Sequence, residues 1–412
     1  MKFLRIRDYL VQNASWLGAG ALLTFLSSFG QTFFISIFAG EIRAEYGLSH
    51  GSWGGVYSLG TMVSAVVMIW AGGLTDVFRV RTLGPAVLIG LGVAGLAMAF
   101  NTSVLLLPVV IFLLRLFGQG MSSHLALVAM TRWFTVTRGR ALSIATLGFA
   151  LGEALLPLAF VAAMAFFDWR LLWVVAAGIT VLGVPVLVRL LRQERTPQSL
   201  AQSYSSTGMD GRHWTRRETL LHPLFWFMVP ALLGPSAFTT AFFFHQVHLS
   251  EIKGWQHIQL VALFPAFTLV SMLSMFASGW ALDKWGTARM IPFYQLPMVA
   301  GFFVFSSALS ISGALLGLSF LALSVGANST LPSAFWAEFY GTRHIGAIKA
   351  MATAIMVLGS AIGPGLTGAL IDFGVTLETQ FVWVALYFVL VCLSAWVGVT
   401  RAARNLSRPR RR

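Results

Sequence analysis

Two ionisable side chains stand out because each lies deep inside a long apolar run of the sequence. Arg115 is about 11 residues into the run 104–130, and Glu153 is about 12 residues into the run 141–167. At 1.5 Å per helical residue, these positions are roughly 16 and 18 Å from the ends of their helices. An ionised group at such depth in a membrane is costly, so both residues are candidates for a functional role.

The chemistry of these two residues points to an anion and a proton. The guanidinium of Arg115 can bind a carboxylate or a phosphate through two hydrogen bonds, and Gln119 and Ser122 follow it at helical spacing. Glu153 shares a helix face with Thr146, and a buried carboxylate can bind and release a proton near neutral pH. The alternative is structural: Arg115 is paired to Glu153 or to backbone carbonyls, and Glu153 forms a static ion pair that locks two helices.

Further polar candidates on other apolar runs are Gln31, Tyr57, His245 and Asn328. Gln31 and Asn328 end polar stripes on the first and tenth runs, which hydrogen bonding between helices would also explain. Tyr57 faces either a cavity or a packed neighbour. His245 could carry a proton, but it lies about 30 Å along the seventh run, where an aromatic belt is an equally open interpretation.

The composition requires a membrane around these residues. The chain has 412 residues, of which 57% are hydrophobic and only 10% are charged, and its mean hydropathy is +0.79. A water-soluble globule carries about 25% charged residues, and a disordered chain is polar. Cys392 is the single cysteine, which excludes an internal disulfide framework and a cysteine zinc site. We therefore expect an integral membrane protein without a cofactor.

Twelve apolar runs are long enough to cross a bilayer as helices. Their approximate bounds are 16–40, 53–74, 83–100, 104–130, 141–167, 170–190, 224–248, 256–282, 290–310, 312–336, 346–371 and 379–400. Strands of a membrane barrel would instead alternate over about 10 residues, and these runs do not. The first run is too long for a signal peptide and is followed by similar runs, so no cleavable leader is expected.

The basic residues fix the orientation of these spans. If the N-terminus is cytoplasmic, 24 of the 28 Lys and Arg residues fall on the cytoplasmic side, three on the opposite side, and Arg115 within a span. The three are Arg43, Arg170 and Lys253. This asymmetry follows the positive-inside rule and predicts a multi-pass protein of a bacterial plasma (inner) membrane with both termini in the cytoplasm. The net charge of +14 therefore reflects topology rather than nucleic-acid binding.

The chain divides into two halves that repeat at an offset of 207 residues. We predict an N-terminal six-helix bundle over 1–190, a flexible cytoplasmic linker over 191–222, a C-terminal six-helix bundle over 223–400 and a basic cytoplasmic tail over 401–412. The stretch from Gly139 to Pro157 aligns without a gap with the stretch from Gly346 to Pro364. A six-helix unit repeated in parallel is typical of transporters whose substrate site is central.

A loop motif occurs in both halves at the same offset. The first copy comprises Gly72, Asp76, Arg79 and Arg81, and the second comprises Gly279, Asp283, Lys284 and Arg289. On these residues the chain resembles the major facilitator superfamily. Within it, Arg132, Trp133 and Phe134, followed by Arg138, Gly139 and Arg140, resemble the bacterial branch near the oxalate/formate and monocarboxylate carriers. The resemblance implies an all-α fold of twelve transmembrane helices in two pseudo-symmetric bundles. It also implies that the motif latches the bundles in one access state.

These features together predict a secondary active transporter that moves a small anionic organic solute by alternating access, coupled to protons as a symporter. The alternative is a proton-driven exporter of drugs or other amphiphilic compounds, which the many Phe and Trp residues favour. The chain has no Walker A motif and no visible nucleophile–base pair, so we expect neither an ATP-driven pump nor an enzyme. We expect a monomer whose partners are its solute, protons and the lipid bilayer.

Overall fold

A computed structural model describes residues 2–134, 137–193, 207–341 and 343–406, and the regular structure of these residues is entirely helical. The helices of the first half are α1 (Lys2–Ser27), α2 (Thr32–Ile35), α3 (Ala39–Tyr46), α4 (His50–Ala71), α5 (Leu74–Val77), α6 (Val80–Phe100), α7 (Leu107–Leu114), α8 (Ser123–Trp133), α9 (Arg138–Met164) and α10 (Trp169–Leu190). A π-helix, Arg115–Ser122, joins α7 to α8.

The second half contains eleven further described helices, two of which are single turns at bends of the chain. They are α11 (Arg216–Leu221), α12 (Pro223–Phe244), α13 (Gln246–Lys253), α14 (His257–Val261), α15 (Phe264–Trp285), α16 (Thr287–Met290), α17 (Leu296–Ser307), α18 (Ile311–Asn328), α19 (Leu331–Tyr340), α20 (Ile345–Asp372) and α21 (Leu377–Ala403). Short 3-10 turns occupy 28–30, 36–38, 104–106 and 209–211.

Each of the twelve predicted spans coincides with helical structure. Among the described residues, ten helical stretches are long and apolar enough to cross a membrane, and a pair bent by 47°, Asp8–Gly30 and Thr32–Tyr46, makes an eleventh. The ninth predicted span is the exception in length, because its apolar helix covers only Leu296–Ser307. The predicted all-α membrane architecture is confirmed.

The first compact unit comprises residues 1–48 and 55–203. Within it, α1 packs along α9 and α8, and α6 packs along α10 and the π-helix. Glycines allow the helix backbones to approach closely: a Cβ atom on Gly148 would lie 1.9 Å from the carbonyl oxygen of Ala21. This close packing is typical of membrane helices, whose association depends on van der Waals contact.

The second compact unit comprises residues 49–54 and 204–412. Here α12 packs along α20 and α21, and α17 packs along α18 and α21. The pairing of α12 with α20 corresponds to the pairing of α1 with α9 in the first unit. When the bounds of α9 are shifted by 207 residues they become 345–371, which matches α20. The first turn of α4 also belongs to this unit, where Asp372 Oδ2 accepts hydrogen bonds from Ser49 Oγ at 2.6 Å and Gly51 N at 2.8 Å.

Part of the stretch expected to be a linker is folded onto the second unit. The backbone N–H of Trp214 donates to the carbonyl of Tyr340 at 3.0 Å, and the Trp214 side chain is buried. Thr215 and Glu218 form a reciprocal capping box at the start of α11. The hydrogen bonds from Thr215 hold the pKa of the Glu218 carboxyl below its usual value. Residues 194–206 of the predicted linker and 407–412 of the tail lie outside the described residues.

Candidate functional site

The first span is broken near its middle. Helix α1 ends at Ser27, a 3-10 turn covers 28–30, and Gln31 has extended backbone angles (φ −89°, ψ 154°) before α2 begins at Thr32. A break of this kind leaves backbone carbonyls without their helical partners. Broken helices at membrane depth are tolerated where other groups satisfy the released backbone, and transporters use them in substrate sites.

A second irregular segment lies against this break. The fourth span changes from α-helix to π-helix over Arg115–Ser122, and such π-helical segments are frequent at functional sites. A Cβ atom on Gly118 would lie 2.5 Å from the Cα of Gly30, and one on Gly30 would lie 2.1 Å from the carbonyl oxygen of Leu114. Because neither position has room for a side chain, the two irregular backbones are in direct contact.

Arg115 lies at the point where these segments meet and is 2% exposed. Its Nη1 donates to the Gly30 carbonyl and to Thr32 Oγ1, both at 3.3 Å. The guanidinium carbon lies 5.4 Å from the ring centre of Tyr57, whose hydroxyl is 2.5 Å from Thr32 Oγ1. Arg115 Nε has no hydrogen-bond partner, and no carboxylate among the described residues forms an ion pair with Arg115.

The other predicted site residues of the first unit differ in how deeply they are buried. Gln31 is buried at the break itself, whereas Gln119 and Glu153 are half-buried. Glu153 follows Gly152 in α9, and a Cβ atom on Gly152 would lie 2.0 Å from Ser28 Oγ, so α9 packs on the same broken turn. Ser122 Oγ donates to the Leu23 carbonyl at 2.9 Å.

Two predicted residues lie in the second unit. Asn328 ends α18, and its Oδ1 accepts a hydrogen bond from the Tyr294 hydroxyl at 3.2 Å. His245 follows α12, is buried, and its Nε2 lies 3.0 Å from the Pro364 carbonyl oxygen. Sequence reasoning missed Thr32, Tyr294 and the carbonyl of Gly30. The Gly30–Gln31 step inside an apolar run was the available signal for the broken turn.

The sequence profile of the Major Facilitator Superfamily matches residues 20–364. The chain belongs to the Major Facilitator Superfamily. Membership establishes a multi-pass integral membrane protein with a role in membrane transport. A comparison with curated protein sequences gives no match.

Solved structures share the superfamily fold at low sequence identity. A bacterial homolog of the human lysosomal transporter Spinster, inward-facing and unoccupied, aligns with a TM-score of 0.74 and 14% identity, covering 96% of this chain and 99% of that one. A mutant of the nucleoside transporter NupG aligns with a TM-score of 0.70 and 15% identity, covering 93% of this chain and 99% of that one. At these identities the likeness shows the fold alone.

The superfamily loop motif is present in both units in different surroundings. In the first copy, the carbonyl of Thr75 accepts a hydrogen bond from Arg132 Nη1 at 2.5 Å, and Arg81 donates to the Arg192 carbonyl at 3.2 Å. The side chain of Asp76 lies outside the described part of the structure, and Arg79 is exposed. A latching role of this copy stays a prediction.

In the second copy, Asp283, Lys284 and Arg289 are all exposed. Lys284 Nζ lies 5.2 Å from the ring centre of Trp280. Gly279 is half-buried, and a Cβ atom there would meet no heavy atom within 4 Å, whereas one on Gly72 would lie 3.5 Å from His124 Nε2. The glycine of the first copy is thus in ordinary contact with a neighbouring helix and that of the second copy is not, so a latch that needs contact between helices is expected in the first copy.

Proposed function

We propose that the chain is a secondary active transporter for a small anionic organic solute, with Arg115 as the group that binds the anion. The observation that carries this proposal is that the Arg115 guanidinium is buried among neutral partners and keeps one N–H unpaired. A buried charge without a counter-ion is costly in free energy. A bound carboxylate or phosphate would offset that cost and would fill the free donor positions of the guanidinium.

Glu153 is the proposed proton-coupling group. It is half-buried in the helix that packs on the broken turn. A half-buried carboxylate can take up a proton when the solute binds and release it on the other side. We propose that solute and proton move in the same direction, as in symport. We also propose a bacterial plasma membrane with cytoplasmic termini, and the distribution of basic residues supports this orientation.

The proposal is tested by transport into proteoliposomes that contain the full-length protein and carry an imposed pH gradient. The solute panel comprises monocarboxylates, dicarboxylates and organic phosphates, with neutral analogues of each. For a transported anion, Arg115→Ala is expected to raise KM about 10- to 100-fold, because a charge-assisted pair contributes about 1.5–3 kcal/mol. Arg115→Met, which keeps the bulk of the side chain, is expected to behave in the same way.

The matched control is Arg189→Ala, which removes an exposed arginine from the end of α10. It is expected to keep wild-type KM. Equal anion transport by wild type and both Arg115 variants, with normal gel-filtration profiles, would contradict the role of Arg115. Gradient-driven efflux of cationic or neutral amphiphiles that persists in Arg115→Ala would instead support the alternative of an amphiphile exporter.

Proton coupling gives a separate prediction for Glu153→Gln. The glutamine cannot exchange a proton, so gradient-driven accumulation is expected to be lost while exchange of labelled for unlabelled solute continues. Accumulation that persists unchanged in Glu153→Gln would exclude Glu153 as the coupling residue and leave the role of Arg115 intact.

A further inference from the structure

A cavity of about 250 Å³ lies in the second unit, and all the residues that line it belong to that unit. Its walls come from α12, α13, α17, α20 and α21, with His245 between α12 and α13. The packing of the unit explains why it exists: α20 and α21 both pack on α12, and few contacts join them to each other. Helices α20 and α21 therefore flank a groove whose floor is α12, and we name it the α20–α21 groove.

The interior of the α20–α21 groove is apolar. The side chains that form its floor and inner wall include Phe238, Phe242, Phe302 and Phe381, and no acid, lysine or arginine is among the described residues that line it. The polar lining atoms bond to backbone: the Tyr387 hydroxyl donates to the Pro230 carbonyl at 2.8 Å. His245 also lines the groove, and its Nε2 lies 3.0 Å from the Pro364 carbonyl oxygen. The groove thus offers mainly aromatic and aliphatic faces to hydrocarbon.

The mouth of the groove is continuous with the lipid-facing surface. Leu366 on α20 is 53% exposed and Trp383 on α21 is 50% exposed, and both line the cavity. Each belongs to an exposed apolar stripe at helical spacing, comprising Leu358, Ile362 and Leu366 on α20 and Trp383, Leu386 and Leu390 on α21. In a membrane-spanning helix such stripes face acyl chains.

The depth of the mouth fits the upper part of an acyl chain. Leu366 and Trp383 each lie six residues from the turn between Asp372 and Leu377, which is roughly 9 Å along a helix. The polar lining residues Thr367 and Gln380 lie towards that turn, and Gln380 Nε2 donates to the Val375 carbonyl at 3.0 Å. A polar headgroup would lie at the turn while its tail extends into the aromatic interior.

We propose that the α20–α21 groove binds one acyl chain of a bilayer phospholipid, which enters laterally between Leu366 and Trp383. Contact with a concave aromatic wall gains dispersion energy that a flat helix surface does not provide, and an empty groove would forfeit it. The lipid is an accessory ligand of the second unit and is separate from the solute held by Arg115.

The test uses full-length protein in nanodiscs that contain a trace of phosphatidylglycerol with a diazirine in one acyl chain. After irradiation, adducts are mapped on peptides by mass spectrometry. Adducts are expected to concentrate on Leu366–Leu370 and Phe381–Val384, above the level on Leu386 and Leu390. Ala241→Phe places a ring in the groove, because Ala241 lines it, and should reduce adducts there to the level of the outer stripe.

Leu390→Phe is the matched control, because it adds the same ring on the outer face of α21. It should leave groove adducts unchanged, as should Arg115→Ala, which separates this proposal from the transport role of Arg115. If Ala241→Phe does not fold, Leu370→Trp fills the same cavity from α20. Equal adduct density on groove and outer stripe, or displacement of the label by transported solutes rather than by unlabelled phospholipid, would overturn the assignment.

Discussion

Arg115 carries its positive charge into the middle of a span, its contacts among the described residues are neutral, and its position depends on few of them. A backbone carbonyl at the broken turn and the hydroxyl of Thr32 hold one nitrogen of the guanidinium. Thr32 is itself linked to Tyr57, whose ring also contacts the guanidinium. This arrangement fixes the side chain and leaves its remaining donors for a ligand, so substitution of Thr32 should affect binding of the anion.

Thr32→Val removes the hydroxyl while keeping a branched side chain of similar size. The guanidinium then loses one of its two hydrogen bonds, and a net loss of about 1 kcal/mol corresponds to a KM increase of about fivefold with little change in kcat. Thr180→Val is the control, because the buried Thr180 hydroxyl bonds only to Ala176 of its own helix. Initial rates over a range of solute concentrations give KM and kcat for both variants. An equal effect of the two substitutions on KM would contradict the role of Thr32.

The depth of Arg115 was predictable from residue counting, but its partners were not. The sequence places it near the middle of an apolar run, and an ionisable residue there is rare enough to be noticed. Its hydrogen bonds, however, go to a carbonyl that is free only because the first span breaks before Gln31. Ser122, seven residues further along, bonds to Leu23, which lies seven residues before Gly30. The two spans therefore run antiparallel in a register that no local pattern encodes.

The two irregular helical segments, in the first and fourth spans, depend on each other. Neither the 3-10 turn at 28–30 nor the π-helix at Arg115–Ser122 has a strong local signal beyond its glycines, and Gly30 and Gly118 allow the two backbones to touch. Sequence reasoning predicted a continuous helix at both places, because apolar periodicity shows length and face but not the packing that selects a π-turn.

Gly118→Ala tests this contact. The new methyl group would lie 2.5 Å from the Gly30 Cα, so one backbone must move and carry the Gly30 carbonyl away from Arg115. Overpacking of this kind costs about 1–3 kcal/mol, which should lower the thermal midpoint in detergent and weaken anion transport. Gly178→Ala in α10, where a Cβ atom meets nothing within 4 Å, is expected to be neutral or slightly stabilising. Similar thermal midpoints for Gly118→Ala and Gly178→Ala would show that the contact between Gly118 and Gly30 is not tight.

At the scale of the whole chain, the sequence predicted most of the architecture. All twelve spans coincide with helices, and the offset of 207 residues that aligns the motif copies also aligns α9 with α20. These features follow from hydropathy and internal repetition, which are properties of long segments. The α20–α21 groove was not predictable, because it arises from the unequal packing of three helices rather than from any one of them.

The orientation of the whole molecule in the membrane is the remaining consequence of its charge pattern. The predicted topology puts three basic residues on one side and 24 on the other, so the reverse orientation would contradict the positive-inside rule. Because Cys392 is the single cysteine and is buried, Cys392→Ala gives a cysteine-free background in which single reporters can be placed. Thr102 is exposed after α6, and Gln193 is exposed after α10, on sides that the charge pattern assigns as opposite.

In this background, Thr102→Cys is expected to react with a membrane-impermeant maleimide on intact cells, whereas Gln193→Cys should react only after the membrane is opened. The charge pattern predicts that Thr102 lies on the same side as Arg170, which is one of the three basic residues of the predicted outer side. The reverse labelling pattern would place the termini outside. With the termini outside, the proposed solute and proton would reach Arg115 and Glu153 from the side opposite to the one that the charge pattern predicts.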